Sequence, residues 1–411
     1  MNKNIDTGVM KLRAIWLIVI LIVVCLASPV QSQTAANYTV VISLDGCRWD
    51  YPEWYDTPFF DYMAQEGVES GLIPSFPSKT FPNHYTLATG LYPDHHGIIA
   101  NTFYDIETGE RFSLSNPKTK YNEKYYGGEP IWLTAQHQGV HTAVFYWPGS
   151  DVKVKGEYPE VFHKYDSLRL THEERVEGII RMLSLPEPQR PRLIMAYFEQ
   201  PDHNGHRYGP QSKHTRRAVE QMDSLMQRLY TRIKQTSVGD SVNFIVLSDH
   251  GMTTLSEQRI IDIASLLPSH WTRAIASGTP TNIYAEQAFV DSIYNTLQHV
   301  DHIRVWKKHE IPAYLHYGSH QRVGDVVVVP DLGWVVGDFE EYGTHGFDPF
   351  FNDMHAIFRA VGPDFKHVSL PHFSNVNVYS IVCHLLRIQP SHNDGNIGDI
   401  RAMFNDNGKK D

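Results

Sequence analysis

The sequence is short of cysteine and of positive charge. Three cysteines in 411 residues are too few for a disulfide framework or for a zinc site built from thiolates. Lysine and arginine number 36 against 46 aspartates and glutamates, a formal net charge of −10, which argues against an electrostatic grip on a nucleic-acid backbone. The chain also lacks repeats, low-complexity tracts and long linkers. With 42% hydrophobic and 20% charged residues its composition is globular, which excludes a disordered tail and a collagen-like rod. Its most apolar run, Ala14 to Ala27, is shorter than the about 20 residues of a bilayer span. What the chain has in abundance is histidine, 23 in all, a ready supply of neutral nitrogen ligands and also a source of chance histidine pairs.

Lys3, Lys11 and Arg13 precede the Ala14–Ala27 run, and Val30 and Ser32 follow it. A basic start, a short apolar stretch and small residues at the cleavage site read as a secretory signal over residues 1–32. The expected location is therefore the periplasm or the exterior; membrane attachment would come only through an uncleaved signal. Cys25 lies inside the apolar run without the small residues that precede a lipidated cysteine. Cys47 and Cys383 then remain, and in an oxidising compartment they could pair if the fold brings them together.

Residues 33–411 alternate strands and helices. Tyr38–Leu44, Thr142–Tyr146, Leu193–Phe198 and Asn243–Leu247 are β-branched or apolar runs that end in turn residues, as buried strands do. Thr171-His-Glu-Glu174 is a capping box leading into Val176, Ile179, Ile180 and Leu183. Val219, Met222, Leu225, Met226, Leu229 and Ile233 form an apolar stripe between His214 and Lys234. The expectation is one α/β domain with a mostly parallel central sheet, helices on both faces and loop insertions. Gly149–Leu170 and Asp301–Val335 are the expected insertions or subdomain pieces.

In such sheets ligands bind beyond the carboxyl ends of the strands, and that is where the acids and histidines fall. Asp45 follows VVISL, Asp202 and His206 follow LIMAYFEQ, Asp249 and His250 follow NFIVLS, and His345 sits in GTHG after GWVVGDF. A single strand-end aspartate is usually a turn former; four such positions in one chain point to a shared site. Three aspartates and three histidines, without sulfur, favour Zn²⁺, with Mn²⁺ or Fe as alternatives, over Mg²⁺ or Ca²⁺. Two Zn²⁺ against three carboxylates leave a net positive pocket, suited to a transferring phosphoryl group. In PSKTFPNHY, Thr80 stands at the opening of a helix with Pro82 in its first turn. By spacing alone Thr80 is equally a nucleophile favoured by the helix dipole or a plain N-cap. Asp94-His95-His96 fits a polar turn better than a metal cluster. His84 and His203 flank the ligand motifs as supporting or solvent-facing residues, and His355 reads as a core histidine.

The segments VVISLDGCRWDY, PSKTFPNHYTLATGLYPDHHGIIAN, EQPDHNGHRYGP, VLSDHGM and GTHGFDP closely resemble the ectonucleotide pyrophosphatase/phosphodiesterase family of the alkaline phosphatase superfamily. GEPIW and FYWPGSDV between them look like it too. The resemblance implies two zinc ions per chain in an alkaline-phosphatase-like fold. One would be held by Asp202, His206 and His345, the other by Asp45, Asp249, His250 and Thr80, with Thr80 as nucleophile. It implies that Asn101 donates to a non-bridging phosphoryl oxygen and that Phe81 packs against a nucleotide base, with Tyr165, Trp147 and Tyr197 also lining the pocket. The implied reaction runs through a phospho-threonyl intermediate and releases nucleoside 5′-monophosphates from nucleotide diesters and pyrophosphates. The chain looks like a minimal bacterial catalytic domain, expected to act as a monomer on a small nucleotide substrate without specific nucleic-acid binding. The nearest alternative is a phospholipid or choline-phosphodiesterase with the same metal core, because the pocket loops do not discriminate a flat base slot from an aromatic cage. A phosphomonoesterase is disfavoured by the absence of an arginine close after Thr80, and a sulfatase by the absence of a C/S-x-P-x-R context.

Overall fold

The β-branched run after Asn37 forms the strand its sequence predicts. In the computed structural model, which describes residues 37–165 and 170–405, β1 (Tyr38–Leu44) is buried along its whole length. The expected signal segment lies outside the described residues. Alternate β1 side chains enter two different cores: Val41 joins one, and Val40, Ile42 and Leu44 join the other. A strand buried on both faces needs no polar alternation, which is why it reads as a continuous apolar run.

The remaining strands of the central sheet are β2 (Val68–Ile73), β3 (Thr142–Phe145), β4 (Val161–His163), β5 (Leu193–Phe198), β6 (Val242–Leu247), β7 (Ala356–Val361), β8 (Val368–Ser369) and β9 (Phe373–Ser374). Their order across the nine-stranded sheet is β8-β2-β7-β6-β1-β5-β3-β4, with β9 also on β2. Every pairing is parallel except those of β7, which runs antiparallel to both β2 and β6. The mixed α/β fold with this mostly parallel sheet is alkaline-phosphatase-like, as expected.

Among the described residues the longer helices that accompany it are α1 (Pro58–Glu66), α2 (Thr80–Thr89), α3 (Ile131–His137), α4 (His172–Leu183), α5 (Asp202–Tyr208), α6 (Lys213–Lys234) and α7 (Asn377–Leu386). Residues of α2, α3 and α7 pack into the core on one face of the sheet, and residues of α1, α4 and α6 into the core on the other. The Thr171 capping box is present, its hydroxyl accepting from Glu174 N and the Glu174 carboxylate accepting from Thr171 N. All six stripe residues of α6 are buried.

Of the two segments expected as insertions or subdomain pieces, the first is corrected and the second is extended. Gly149–Leu170 is not wholly peripheral, because it contains β4, which extends the central sheet by pairing parallel with β3. The segment Asp301–Val335 is only the second half of a subdomain. That subdomain is a four-stranded antiparallel sheet of Thr272–Ala276, Thr281–Ala285, Val326–Pro330 and Ile303–Lys307, packed with the helix Val290–Leu297 around its own small core. Its two inner strands, Thr281–Ala285 and Val326–Pro330, are buried throughout, whereas the outer strands Thr272–Ala276 and Ile303–Lys307 are mostly half-buried, so pairing rather than local sequence marks where it begins. Cys47 and Cys383 are both buried free thiols. Among the described residues no helix is long and apolar enough to cross a membrane.

Candidate functional site

The parallel strands deliver their following loops to one edge of the sheet. Asp45 comes directly after β1, Asp202 and His206 lie on α5 after β5, and Asp249 and His250 follow β6. His345 differs from expectation. The only strand within GWVVGDF is Val335–Val336, which pairs with Ile260–Ile261 outside the central sheet. His345 instead precedes β7, whose reversed direction brings its amino end to the edge where its neighbours end.

Two groups result. Asp202, His206 and His345 offer ligand atoms within 4.8 Å of one another, and so do Asp45, Asp249 and His250. Close approach depends on Gly46, held at φ +67°, where an added Cβ would stand 2.8 Å from Asp202 Cβ. The carboxylates of Asp45 and Asp249 are anchored at one oxygen and bare at the other. Tyr197 donates its hydroxyl to Asp45 Oδ2 at 2.6 Å, and Gly46 N and Ser248 Oγ donate to Asp249 Oδ1. Asp45 Oδ1, Asp249 Oδ2 and Asp202 Oδ1 are buried without a hydrogen-bond partner, an arrangement that costs free energy unless a cation joins them.

The histidines face inward in the same way. His345 Nδ1 lies 2.6 Å from Ser78 O, His250 Nδ1 2.8 Å from Gly251 O, and His206 Nδ1 2.8 Å from Gly343 O. Against a carbonyl each Nδ1 must donate, so in the neutral ring each Nε2 presents a lone pair. The Nε2 atoms of His206 and His345 are 3.1 Å apart, repulsive for two lone pairs. Two nitrogens each about 2.0–2.1 Å from one tetrahedral ion stand about 3.3 Å apart, so the spacing fits a shared metal. His250 Nε2 approaches Asp249 Oδ2 at 2.9 Å and Asp45 Oδ1 at 3.5 Å.

The electrostatics tell the same story. Burial, aided by Asp249 and Asp202, pushes the Asp45 carboxyl well above the usual range. Burial works against the Asp249 anion too, but His250 and His84 overcome it and hold its pKa well below the ordinary value. His206 is held at about 10 because Asp202 and Glu341 outweigh burial. A pocket that raises one carboxyl and retains a proton on an imidazole is one that lacks positive charge.

Thr80 is the first residue of α2; the N-cap is Lys79, in extended conformation and making no side-chain cap. The plain N-cap role for Thr80 is thereby excluded. Its Oγ1 instead lies 3.2 Å from His250 Nε2. The residues after it hold it there. Phe81 N donates to Asn101 Oδ1 at 3.0 Å, which fixes the carbonyl end of the Asn101 amide. Pro82 has no N–H to satisfy. Asn83 clamps the preceding loop, accepting from Ser75 N and donating to Pro77 O and Lys79 O. His84 donates from Nδ1 to Thr80 O, with Asp249 Oδ2 at 3.3 Å, and accepts at Nε2 from Ser43 Oγ. The ligand-flanking His84 is therefore wholly buried and supports both Thr80 and Asp249, whereas His203 is exposed.

The sequence pattern of the family described as Type I phosphodiesterase / nucleotide pyrophosphatase matches residues 39–348, a span that contains every one of these side chains. The chain belongs to this family. It is 34% identical over 385 residues to "Venom phosphodiesterase CdcPDE" of Crotalus durissus collilineatus, covering 89% of this chain and 46% of that protein. To ectonucleotide pyrophosphatase/phosphodiesterase family member 3 of Bos taurus it is 35% identical, covering 89% and 44%. The chain thus spans a little under half the length of these curated relatives. Among solved structures it resembles murine ectonucleotide pyrophosphatase/phosphodiesterase 5, an inactive threonine-to-alanine variant in complex with AMP. There the TM-score is 0.85 at 33% identity, over 90% of this chain and 100% of that one. The human counterpart gives the same TM-score at 32% identity.

The pocket residues expected of this phosphodiesterase-family chain are placed unevenly. Phe81, 8% exposed, joins the core beneath α2. Tyr165 is 40% exposed and its ring lies 6.0 Å from that of Tyr197, edge to face. Tyr197 reaches Asp45 through its hydroxyl and His84 through its ring, at 5.1 Å. Trp147 is enclosed, donating from Nε1 to His84 O at 3.0 Å, so it buttresses α2 from within the protein. Asp94-His95-His96 forms a turn of helix without a shared ligand point: Asp94 accepts from Ser319 N, His95 pairs with Asp394 and His96 contacts Thr86. His355 is buried, its Nδ1 2.8 Å from His372 Nδ1.

Sequence reasoning missed Glu341 and Lys79. Glu341 Oε2 lies 2.7 Å from His206 Nδ1. Lys79 runs along Gly346, where an added Cβ would stand 2.5 Å from its Cε. Burial lowers its pKa while Glu341 and Asp202 oppose that shift. Both flank a ligand motif by only one to four residues, the one signal that could have drawn attention to them.

Proposed function

We propose that this chain is a two-zinc phosphodiesterase that hydrolyses nucleotide phosphodiester and pyrophosphate bonds to nucleoside 5′-monophosphates, with Thr80 as nucleophile. The observation that carries the reading is Thr80 at the start of α2, 3.2 Å from a ligand nitrogen of the Asp45–Asp249–His250 group. Asp45, Asp249, His250 and Thr80 would hold one zinc, and Asp202, His206 and His345 the other. Bound there, the ions supply the positive charge that activates a hydroxyl and stabilises anionic oxygens during phosphoryl transfer.

The chain's own residues supply the rest. The N-terminal dipole of α2 favours Thr80 as an alkoxide. Its Oγ bonds to phosphorus as the bond to the leaving oxygen breaks, giving a phospho-threonyl intermediate. The Asn101 amide donates to a non-bridging oxygen while its carbonyl end is pinned by Phe81 N. Water then bonds to the same phosphorus and Thr80 Oγ departs, freeing the monophosphate. The nucleotide preference is supported by the AMP held by the murine structural relative. We also infer export by the residue 1–32 signal to the periplasm or exterior, and action as a monomer.

The test is to incubate the zinc-loaded protein with ATP, a dinucleoside diester and glycerophosphocholine, with EDTA-treated and Thr80→Ala controls, and to separate the products. AMP with pyrophosphate from ATP is expected, together with no turnover by Thr80→Ala despite retained zinc. Phosphocholine release with intact ATP would move the substrate to lipid headgroups. Near-normal turnover by Thr80→Ala would overturn the nucleophile assignment.

A further inference from the structure

The two candidate metal groups differ in charge. Asp45 and Asp249 give one group two carboxylates, whereas Asp202 is the single carboxylate of the other. The histidines differ in the opposite sense. His250 and His345 each back their Nδ1 with a neutral backbone carbonyl. His206 has such a carbonyl too, Gly343 O at 2.8 Å, and alone adds a carboxylate, Glu341 Oε2 at 2.7 Å from the same Nδ1. Glu341 lies in the loop that also carries Gly343 and His345, so one stretch of chain supplies one ligand of the group and both acceptors behind another.

Gly343 O by itself suffices to fix the imidazole tautomer. What Glu341 adds is negative charge one ring removed from the ligand nitrogen, which raises the donor strength of Nε2. We propose that Glu341 is a positioning residue for the metal of the Asp202–His206–His345 group. Through His206 it supplies the second negative charge that the other group receives directly from its own two aspartates. The inference rests on the two-metal reading above.

Glutamine at position 341 keeps the size of the side chain and can still accept from Nδ1, so it removes charge alone. The position is tolerant, with 36% of the side chain exposed. Metal-free wild type, Glu341→Gln and the neighbouring surface control Glu340→Gln would be titrated with zinc against a chromophoric chelator. The expected result is one zinc bound as in wild type and the other about 10- to 100-fold more weakly in Glu341→Gln, with Glu340→Gln indistinguishable from wild type. Two zincs of wild-type affinity in Glu341→Gln, or equal weakening in both variants, would overturn the inference. If metal-free Glu341→Gln melts below wild type, Glu341→Asp must restore the second zinc, and failure to do so overturns it as well. Fewer than two zincs on the wild type would refute the two-metal reading itself, and the wild-type titration alone reveals that.

Discussion

Replacing Tyr197 by phenylalanine separates two roles that the sequence left together. The ring sits edge to face with Tyr165 and with His84, and the hydroxyl donates to Asp45 Oδ2 at 2.6 Å. Phenylalanine keeps the ring and deletes the bond. Asp45 is 2% exposed, so water does not readily replace the lost donor. A hydrogen bond to a charged group contributes about 1.5–3 kcal/mol. Asp45 must be ionised to bind a cation, so the loss falls on the metal-bound state. At about 1.4 kcal/mol per decade, zinc affinity at the Asp45–Asp249–His250 group should fall about 10- to 150-fold. The Asp202–His206–His345 group, which Tyr197 does not touch through that hydroxyl, should be unchanged. Zinc titration against a chromophoric chelator, paired with KM for a nucleotide diester, measures both. Unaltered zinc affinity with a raised KM would make Tyr197 a substrate contact and refute the reasoning; no change in either would mean the hydroxyl is idle.

Gly46→Ala should lower stability by more than about 2 kcal/mol, since a left-handed φ costs a non-glycine residue about 1–2 kcal/mol and the new Cβ would meet Asp202 at 2.8 Å; a urea midpoint equal to wild type would contradict this. Burial raises the Asp223 carboxyl to about 6 from an ordinary 3.8, against the opposing hydrogen bonds from Phe60 N and Phe59 N. A raised folded pKa means stability that is full below pH 3.8 and is lost as pH rises through about 6, at most about 3 kcal/mol at 1.4 kcal/mol per unit. Asp223→Asn should flatten the stability profile between pH 4 and 6 relative to wild type, and parallel melting curves for the two proteins across that window would rule the effect out.

Much of this protein is determined by local sequence. Strands buried on both faces, such as Tyr38–Leu44 and Leu193–Phe198, are continuous apolar runs because each residue meets a core. The capping box at Thr171 and the stripe of α6 are legible because a helix end and a helix face are set by residues three and four apart. Five of the six candidate ligands were legible because carboxyl ends of parallel strands must be followed by loops, and chemistry-bearing residues there stand out from turn formers; His345 was legible only as the histidine of the glycine-flanked GTHG loop. The tertiary structure decided what sequence separation hides. His345 reaches the site because β7 runs against its neighbours, a pairing with residues more than a hundred positions away. Thr80 is a first-turn residue facing His250 rather than an N-cap, which depends on where β6 ends relative to α2. The subdomain boundary and the unpaired state of Cys47 and Cys383 follow from packing between distant segments. Glu341 and the Tyr197 hydroxyl became visible only when His206 and Asp45 were in place, because a partner's role depends on where its counterpart lies. Residue types near strand ends are a property of the chain; distances of 2.6 and 2.7 Å between atoms far apart in sequence are a property of the fold.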